Sequence, residues 1–476
     1  MEEEGYQNSG NEPLHVLMFP WLAHGHISAY AELSIRLAQK GTKVSFFSTP
    51  LNIAKIKPLF ASRQVPQIQL LQLPLPKVAG LPPEIESTSD LPMHLTPLFN
   101  KAVDGLEAPF EKLLAEICPD CVIFDFVQWW AGRAAAKFGA ASVTFSTLGA
   151  AFISWAMHPF WRLYGNGLTA EDLIQQPSDY PSRAVTLRLF EAAGALVVNG
   201  AHEPDAVSYP ERCLRGIDAC DIVAVKTCAE LEGKYVEYFG KVTGKPVVPL
   251  GPLLSPHVSE GKADSDVMTW LDKQSMGSVV YVSFGSQCFL SREEIAEVAL
   301  GLEASGQPFL WALHSLSSWL PEGFVERLGK RGIVVRGWVP QREVLAHLGV
   351  GSLMTHCGWN SIMEGLSNGL VLIASPMQLD QSHNARLIVL ELNVGNEVGR
   401  GKDGTFEREE ICKAVRMVMG DEGREMRAKA KEIGHMFKNK ILKDGGSQDE
   451  YMTHFVDHLH LLKPSVRLQK GKEIQH

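Results

Sequence analysis

The side chains best suited to chemistry lie where apolar runs end. His356, Asn360 and Ser361 follow the run GSLMT and open a helical pattern, and Gly358 between them lets a ligand approach the backbone. A helix N-terminus carries about half a positive charge and N–H groups without helical partners, so it attracts phosphate. Because the three side chains add further donors, the segment predicts a phosphate site built without Lys or Arg.

Other polar and aromatic residues flank this helical pattern. Glu364, one turn on, is an acceptor placed for a diol such as ribose, and Trp338 ends an earlier apolar run, where its ring could stack on a base. Asp380 and Gln381 follow the next run and can bond several sugar hydroxyls. Singly, such residues are usually core or helix caps. Together they predict sites for base, ribose, diphosphate and sugar in chain order.

A histidine and an aspartate in the first half could move a proton. His26 follows the apolar run LHVLMFP at the start of a helical pattern, and Asp125 follows the run CVIF. The positive end of the helix favours a neutral imidazole near pH 7, and a facing carboxylate would fix its tautomer, so the pair suits general-base catalysis. The residues alone leave two alternatives open, Asp125 as a helix N-cap and His24 as the base.

Several short patterns match known motifs but fail on context. GRGKDGT fits a dinucleotide fingerprint yet reads as a charged turn, and GLSNG has a helix before it and a strand after it, the reverse of a nucleophile elbow. HGH lacks a third zinc ligand nearby, and CPDC lacks a second pair at zinc-finger spacing. We therefore expect no metal site and no dinucleotide site.

The elements that position these residues repeat in the two halves. Each half opens with an apolar run, a short loop and a helical pattern. Ser28 is the predicted N-cap of the first helix and Gly41 its end, whereas Ser291 and Glu294 form a capping box on the second, which ends at Gly306. Apolar runs that alternate with helices predict parallel sheets covered on both faces.

The predicted fold is α/β, with two Rossmann-like, doubly wound domains that face each other across a cleft. Residues 13–252 are predicted to form the first domain and residues 266–450 the second. The Pro-, Gly- and charge-rich stretch 253–265 is the predicted linker, and 451–476 form a terminal helix and tail. Such sheets bind ligands beyond the carboxyl ends of their strands.

Composition narrows the function classes. The 476 residues carry 45 basic and 54 acidic side chains, a net charge of −9 that argues against a general nucleic-acid binder. Eight cysteines are too sparse for a disulfide scaffold and fit the reducing cytosol. The N-terminus lacks the apolar region of a signal peptide, and residues 138–161 are broken by polar residues. We expect a cytoplasmic monomer without a membrane anchor.

The segment from Trp338 to Gln381 resembles the 44-residue signature of plant family 1 glycosyltransferases, which use UDP-sugars. W-x-P-Q, H-C-G-W-N-S, Glu364 and the final D-Q match in order and spacing, and the likeness covers nearly the whole chain. The resemblance implies the GT-B fold, with the acceptor bound by the first domain and the UDP-sugar held mainly by the second. It also implies a last helix that returns to the first domain. It implies a UDP-sugar as co-substrate, UDP-glucose above others, and no metal or further cofactor.

The resemblance also implies roles by position. The implied donor-binding residues are Ser286, Trp338, Val339, Gln341, His356, Trp359, Asn360, Ser361, Glu364, Asp380 and Gln381. Val339 would pair with the base through its backbone, Gln341 would contact ribose, and Ser286 would assist at the diphosphate. Trp359 would contact the sugar. The resemblance favours His26 as the base and Asp125 as its partner.

Two departures from the family pattern stand out. Ala29 lies where proline is common, and because it follows the proposed base by three residues, it is expected to reshape the sugar or acceptor pocket. Gly369-Leu370-Val371 replaces the usual G-V-P and is expected to change only the start of a strand.

The implied reaction is an inverting transfer to a hydroxyl of a flavonoid or terpenoid. FPWLAHGHIS and KTCAELEGKYVEYFG look like the branch that extends sugars already on such molecules. An aglycone glucosyltransferase and an inactive nucleotide-sugar-binding protein are the alternatives, and Gln381, although typical of glucose users, does not exclude rhamnose or xylose. Aromatic residues of the first half from which an apolar acceptor pocket could be built are Trp21, Trp129, Trp130, Phe145, Trp155, Phe160, Trp161 and Tyr164.

Overall fold

A computed structural model describes most of the chain. The described ranges are 13–158, 168–200, 207–254, 265–285, 290–313, 319–337, 339–378 and 380–463. Two predicted site residues, Ser286 and Trp338, lie outside these ranges. So do residues 255–264 of the predicted linker and the tail from residue 464.

Parallel strands form the framework of both halves. Within the described ranges the strands are β1 (His15–Phe19), β2 (Lys43–Ser48), β3 (Ile68–Gln72), β4 (Cys121–Phe124), β5 (Ala141–Ser146), β6 (Ile222–Val225), β7 (Val247–Pro249), β8 (Val279–Ser283), β9 (Phe309–Leu313), β10 (Gly332–Arg336), β11 (Val350–Thr355), β12 (Val371–Ala374) and β13 (Gly395–Glu397). Most are continuous runs of Val, Ile, Leu and Phe, the composition that a strand covered on both faces requires.

Helices connect these strands. In the same ranges they are α1 (His24–Gln39), α2 (Pro50–Ser62), α3 (Thr96–Asp104), α4 (Glu107–Ile117), α5 (Ala131–Lys137), α6 (Ala150–Ala156), α7 (Ala170–Leu173), α8 (Leu189–Gly200), α9 (Tyr209–Asp218), α10 (Ala229–Thr243), α11 (Ser265–Leu271), α12 (Arg292–Ser305), α13 (Phe324–Leu328), α14 (Gln341–Ala346), α15 (Trp359–Ser367), α16 (Gln381–Arg386), α17 (Arg408–Met419), α18 (Arg424–Met436) and α19 (Ser447–Leu462). Helix α16 continues as a π-helical turn over Leu387–Glu391, and α18 does so over Phe437–Ile441.

The two sheets share one winding pattern. The first runs β3-β2-β1-β4-β5-β6-β7 and the second β10-β9-β8-β11-β12-β13. In each, the first strand of the half lies inside the sheet and pairs in parallel with two neighbours, β1 with β2 and β4, and β8 with β9 and β11. The strand order therefore reverses at β1/β4 and at β8/β11, where such sheets bind ligands. The predicted pair of doubly wound parallel sheets is confirmed.

Aromatic side chains fill the core under the first sheet. Phe19 of β1 meets Phe47 edge-on at 4.6 Å between ring centroids and stacks on Phe110 at 5.1 Å. Trp130 packs 5.5 Å from Phe110, and all four rings are buried. Each buried ring of this size contributes about 1.5–3 kcal/mol through the hydrophobic effect. This core holds the carboxyl ends of β1 and β4 at a fixed spacing.

One predicted helix start is wrong. Helix α1 begins at His24 rather than after Ser28, because the Ile27 N–H already bonds the Ala23 carbonyl at 2.9 Å. The Ser28 hydroxyl instead donates to the Gly25 carbonyl, one turn back. Gly41 follows the helix with φ +87°, the left-handed conformation expected of a glycine after a helix end.

The caps predicted for the second helix are confirmed. Ser291 accepts from the Glu294 N–H at 3.1 Å, and the Glu294 carboxylate accepts from the Ser291 N–H at 2.8 Å. Gly306 ends α12 with φ +76°. This reciprocal pair satisfies two N–H groups that a helix start otherwise leaves without partners.

The chain divides into two compact units. One comprises Met1–Phe145, Glu211–Ala224 and Tyr451–His476, and the other comprises Ser146–Pro210 and Val225–Glu450. Among the described residues of the first unit, the Lys40 ammonium donates to the Thr453 hydroxyl at 2.9 Å. Within the second, the Gln448 side chain donates to the Leu250 carbonyl at 2.7 Å.

The apolar stretch 138–161 splits into short elements. Its described part holds strand β5 and the seven-residue helix α6. Across the described ranges, none of the helices combines the length and the apolar character that crossing a membrane requires.

Candidate active site

A histidine and an aspartate meet at the strand reversal of the first sheet. Asp125 comes directly after β4, and His26 lies in the first turn of α1, which follows β1. The two strands are neighbours, with Phe19 opposite Phe124, so both loops emerge at one edge. His26 Nδ1 lies 2.6 Å from Asp125 Oδ2. The Asp125 side chain is fully buried, whereas that of His26 is 18% exposed.

This contact orients the imidazole. A carboxylate can only accept, so Nδ1 carries the proton and Nε2 carries the lone pair. The second oxygen of Asp125 accepts from the Val127 N–H at 3.3 Å, and the Asp125 N–H donates to the Phe19 carbonyl at 3.2 Å. Held at three points, Asp125 presents one oxygen to His26.

The geometry bears on both alternatives for this pair. The helix-cap alternative for Asp125 is wrong, because α5 begins only at Ala131 and the Asp125 carboxylate bonds Val127 inside the connecting turn. His24 is the exposed first residue of α1, and the ring that meets Asp125 is that of His26. The catalytic roles themselves stay predictions. Ala29, one turn beyond His26, is buried in α1.

A second histidine lies at the strand reversal of the second sheet. His356 directly follows β11, and a tight space surrounds its ring. A Cβ added at Gly285 would lie 2.6 Å from His356 Cε1, and one at Gly358 would lie 2.5 Å from Nε2. Cys357, which lies between His356 and Gly358 in the chain, adopts a left-handed φ of +68°. Loss of hydration lowers the pKa of His356 to about 4, so its ring is neutral at pH 7.

Helix α15 starts immediately after this histidine. Its N-cap is Gly358, which has no side chain to occupy the first-turn N–H groups. Trp359, Asn360 and Ser361 form that first turn, and the last two are partly exposed. His356, Asn360 and Ser361 therefore gather at one helix end, and their contact with phosphate stays a prediction.

The two residues predicted to contact ribose are bonded to each other. Gln341, the first residue of α14, donates from Nε2 to Glu364 Oε2 at 2.7 Å. Tyr281 donates to the Gln341 oxygen at 3.4 Å, and Arg342 lies 3.4 Å from the other Glu364 oxygen. Val339, one of the predicted base contacts, is buried two residues before α14. These bonds hold the carboxylate in one orientation.

Asp380 and Gln381 lie at the start of α16, beyond β12. The Gln381 carboxamide oxygen accepts from the Met377 and Gln378 N–H groups at 2.9 and 3.0 Å. Asp380 accepts from Asn384 at 2.6 Å, and Asn384 also donates to the Cys357 carbonyl at 3.0 Å. Asn384 thereby links Asp380 to the loop that carries His356.

Trp359 takes a position that its predicted role did not anticipate. Its ring is buried, and its indole N–H donates to the Lys226 carbonyl at 2.6 Å. A sugar contact would therefore have to come from another part of Trp359. The sugar contact stays a prediction.

The sequence predicted a phosphate site without Lys or Arg, and the structure places a lysine beside the residues of that predicted site. The Lys226 ammonium donates to the Asn360 side-chain oxygen, so a buried cation lies beside the first turn of α15. The sequence held a signal for it. Lys226 directly follows the apolar run IVAV of β6, the kind of position that predicted the other ligands.

Four of the eight aromatic residues considered for an acceptor pocket are core. Trp21, Trp130, Phe145 and Trp155 are buried. Trp129 lies under two guanidinium groups, 4.6 Å from Arg133 and 4.8 Å from Arg215. The remaining three candidates, Phe160, Trp161 and Tyr164, lie outside the described residues.

The two cysteines of CPDC lie in different environments. Cys118 is exposed in a left-handed conformation after α4, and Cys121 is buried as the first residue of β4. No group of three or more His, Cys, Asp or Glu residues is arranged to hold a metal ion in the part of the chain that is described.

Family matches define the class of protein. Residues 258–431 match the family described as UDP-glucoronosyl and UDP-glucosyl transferase, and residues 12–178 match the glycosyltransferase N-terminal domain. The fold superimposes on that of Glycyrrhiza uralensis UGT73P12, solved with glycyrrhetinic acid 3-O-monoglucuronide, with a TM-score of 0.80 at 26% identity over 95% of this chain and 96% of the other. The protein is a glycosyltransferase of the GT-B fold.

Individual relatives define the family more closely. The chain is 36% identical over 438 residues to a mogroside IIIx synthase of Siraitia grosvenorii, which covers 89% of both chains. It is 34% identical to the anthocyanidin-3-O-glucoside rhamnosyltransferase of Petunia hybrida, over 96% of this chain and 98% of the relative. The chain belongs to the plant UDP-glycosyltransferases, enzymes that use UDP-sugar donors.

Proposed function

We propose that this protein is an inverting glycosyltransferase that adds a sugar to the sugar of an existing flavonoid or terpenoid glycoside. UDP-glucose is the expected donor. The observation that carries the proposal is the 2.6 Å contact between His26 Nδ1 and Asp125 Oδ2 at the strand reversal of the first sheet. A protein that only bound nucleotide sugars would not need this pair.

In the proposed mechanism, His26 is the general base. Asp125 holds Nδ1–H, so the Nε2 lone pair takes the proton of the acceptor hydroxyl, and the carboxylate stabilises the imidazolium that forms. The acceptor oxygen bonds to the anomeric carbon while the bond from that carbon to the phosphate oxygen breaks, and its electron pair leaves with UDP. A single displacement of this kind converts an α-linked UDP-D-glucose into a β-glucoside.

The charge that develops on UDP is received by the start of α15. The first-turn N–H groups, neutral His356, Asn360 and Ser361 are donors that can be aligned before the reaction, the arrangement that stabilises a leaving anion most effectively. The mechanism therefore includes no metal ion. Gln341 and Glu364 would hold the ribose, and Asp380 and Gln381 would hold the sugar.

Two relatives support a glycoside as acceptor. The Petunia enzyme is named for an anthocyanidin 3-O-glucoside, and the Glycyrrhiza enzyme was solved with a monoglucuronide. The Petunia enzyme is also named as a rhamnosyltransferase, so donor choice needs its own test. Free cysteines at seven described positions favour a cytoplasmic location. The monomer expected from the sequence stays a prediction.

The deciding experiment is a donor-by-acceptor panel read by mass spectrometry. UDP-glucose, UDP-rhamnose and UDP-xylose are each offered with a flavonol, its 3-O-glucoside, a triterpenoid and the matching triterpenoid glucoside. The expected result is a mass gain of one hexose on the glucosides and little on the aglycones. Preferential transfer to aglycones would overturn the sugar-on-sugar assignment, and the absence of transfer from every donor, although UDP protects against thermal unfolding, would favour a binding protein.

A further inference from the structure

Lys226 is a buried cation beside the proposed diphosphate site. It directly follows β6, and only 4% of the residue is exposed. Its backbone is fixed on both sides, because its N–H donates to the Ser146 carbonyl at 2.9 Å and its carbonyl accepts from the Trp359 indole at 2.6 Å. The fold therefore fixes the backbone from which the Lys226 side chain projects.

The ammonium determines which way Asn360 faces. A lysine ammonium has three donors and no acceptor, so the carboxamide must turn its oxygen toward Lys226. The NH₂ group of Asn360 is then the end of the carboxamide that is turned away from the ammonium. Without the ammonium, the two ends of the carboxamide would compete for either orientation.

The histidine next to Asn360 in the proposed diphosphate site adds no positive charge there. His356 is held neutral by burial, which lowers its pKa to about 4, so it contributes a hydrogen bond and no net charge at pH 7. A diphosphate that leaves with an additional negative charge gains most from a fixed cation in a poorly solvated place.

We propose that Lys226 is a positioning and charge-balancing residue for the nucleoside diphosphate of the donor. It orients Asn360 so that the carboxamide donates to the diphosphate, and it provides positive charge next to that group. This inference rests on the proposed function, because it assigns a further residue to the same donor site.

The test compares the affinities of UDP, UMP and uridine by calorimetry for the wild-type chain and Lys226→Met, a substitution of similar length without charge. The loss of a charged contact predicts UDP binding about 10- to 100-fold weaker, with uridine binding changed less than about twofold. Lys226→Arg is expected to recover part of the loss. Lys234→Met, which removes a half-exposed lysine of α10 paired with Glu391, is the matched control and should not change UDP binding.

Asn360 provides a second arm. Asn360→Ala should weaken UDP binding, and the double variant Lys226→Met/Asn360→Ala should lose less than the sum of the two single losses, because the ammonium acts partly through the carboxamide. If Lys226→Met does not fold, Lys226→Gln replaces it in both comparisons, with the thermal midpoint as the check on folding.

Three results would be decisive. Equal losses for UDP and uridine would reduce Lys226 to a structural role and overturn the inference. So would unchanged UDP binding in a folded Lys226→Met variant, while the proposed function would stand. A wild-type chain that binds no UDP would instead overturn the proposed function itself.

Discussion

The two sheets reverse their strand order in the same way, but the loops at the two reversals carry different residues. In the first, the loop after β4 carries the buried carboxylate of Asp125, which meets His26 after β1. In the second, the loop after β11 carries neutral His356, and the loop after β8 offers Gly285, whose missing side chain makes room for that ring. Under the proposed function, one topology would support proton transfer in one half and donor binding in the other.

This difference between the two strand reversals shows that the side chains in the loops, more than the fold, determine the chemistry of each site. The histidine at one reversal follows the first strand of its sheet and is held by a carboxylate, whereas the histidine at the other follows β11, the counterpart of β4, and is neutral between glycines. The carboxylate supports a ring that must accept and stabilise a proton, whereas burial without a carboxylate suits a ring that only donates a hydrogen bond. The predictions below test this contrast.

The largest expected effect comes from removing the base of the first sheet. His26→Ala should lower the transfer rate at least about a thousandfold, because no group then takes the acceptor proton. UDP affinity should stay nearly unchanged. The measurements are single-turnover transfer and UDP calorimetry.

His24→Ala is the matched control for this substitution, since the two histidines lie two residues apart on α1. It should keep most of the activity. Full transfer activity in His26→Ala would show that the first sheet does not supply the base.

Replacing the carboxylate beside the base should have the next largest effect. Asp125→Asn keeps the shape of the side chain, but its NH₂ group can donate to His26 Nδ1. The imidazole proton then lies on Nε2, so this nitrogen can no longer accept the proton of the acceptor hydroxyl. We expect kcat to fall by about 100- to 1000-fold with little change in the KM for the donor.

Strand β4 offers a control at its other end. Asp120, also buried, precedes the strand that Asp125 follows, and it accepts from the His15 N–H at 2.8 Å. Asp120→Asn should alter stability more than transfer. If both substitutions lowered kcat equally, the carboxylate at the strand reversal would have no special role.

In the second sheet, a single methyl group tests the room made for His356. Gly285 has φ +74°, and an added Cβ would lie 2.6 Å from the His356 ring. Gly285→Ala should displace the ring and weaken UDP binding about tenfold, in addition to about 1–2 kcal/mol of backbone strain. Calorimetry with UDP measures the first effect, and thermal unfolding measures the second.

Gly306→Ala separates strain from displacement. Gly306 has a similar φ of +76°, but nothing lies within 4 Å of an added Cβ. It should lose comparable stability and keep UDP affinity. Equal UDP affinity in both variants would mean that the position of His356 does not matter for the diphosphate.

The smallest expected effect concerns pH. Burial lowers the pKa of His356 to about 4, and burial together with Arg386 lowers that of His383 to about 3, both from an ordinary 6.5. Below about pH 6.5 the unfolded chain binds these protons and the folded chain does not, so the free energy of unfolding falls as the pH falls toward 4. His383→Phe should flatten this slope by up to about 1.4 kcal/mol per pH unit.

Phe152→Leu is the control for the pH experiment. Its ring packs 5.4 Å from His383, so the substitution disturbs the same cluster without removing a titratable group. It should lower stability by the same amount at every pH. A slope unchanged in His383→Phe would contradict a neutral buried ring. Urea unfolding from pH 4.5 to 7.5 measures both variants.

Most of the architecture was predictable from local patterns. Apolar runs ended by polar loops indicated both parallel sheets, and the capping box of Ser291 and Glu294 marked a helix start correctly. These features depend on neighbours in the chain. The sequence pattern placed the start of α1 too late, because the helix begins without a side-chain cap. Its first backbone bond is the one that the Ile27 N–H donates to the Ala23 carbonyl.

The sequence by itself determined which residues gather at the strand ends, because parallel strands bring their carboxyl ends to one edge. Only the tertiary structure decided how they pair. In the folded chain, Asp125 contacts His26 and does not cap a helix. The Trp359 indole donates to the Lys226 carbonyl, and the Lys226 ammonium donates to Asn360, which lies 134 residues away in the chain. Contacts between such distant residues depend on packing, and no local pattern specifies them.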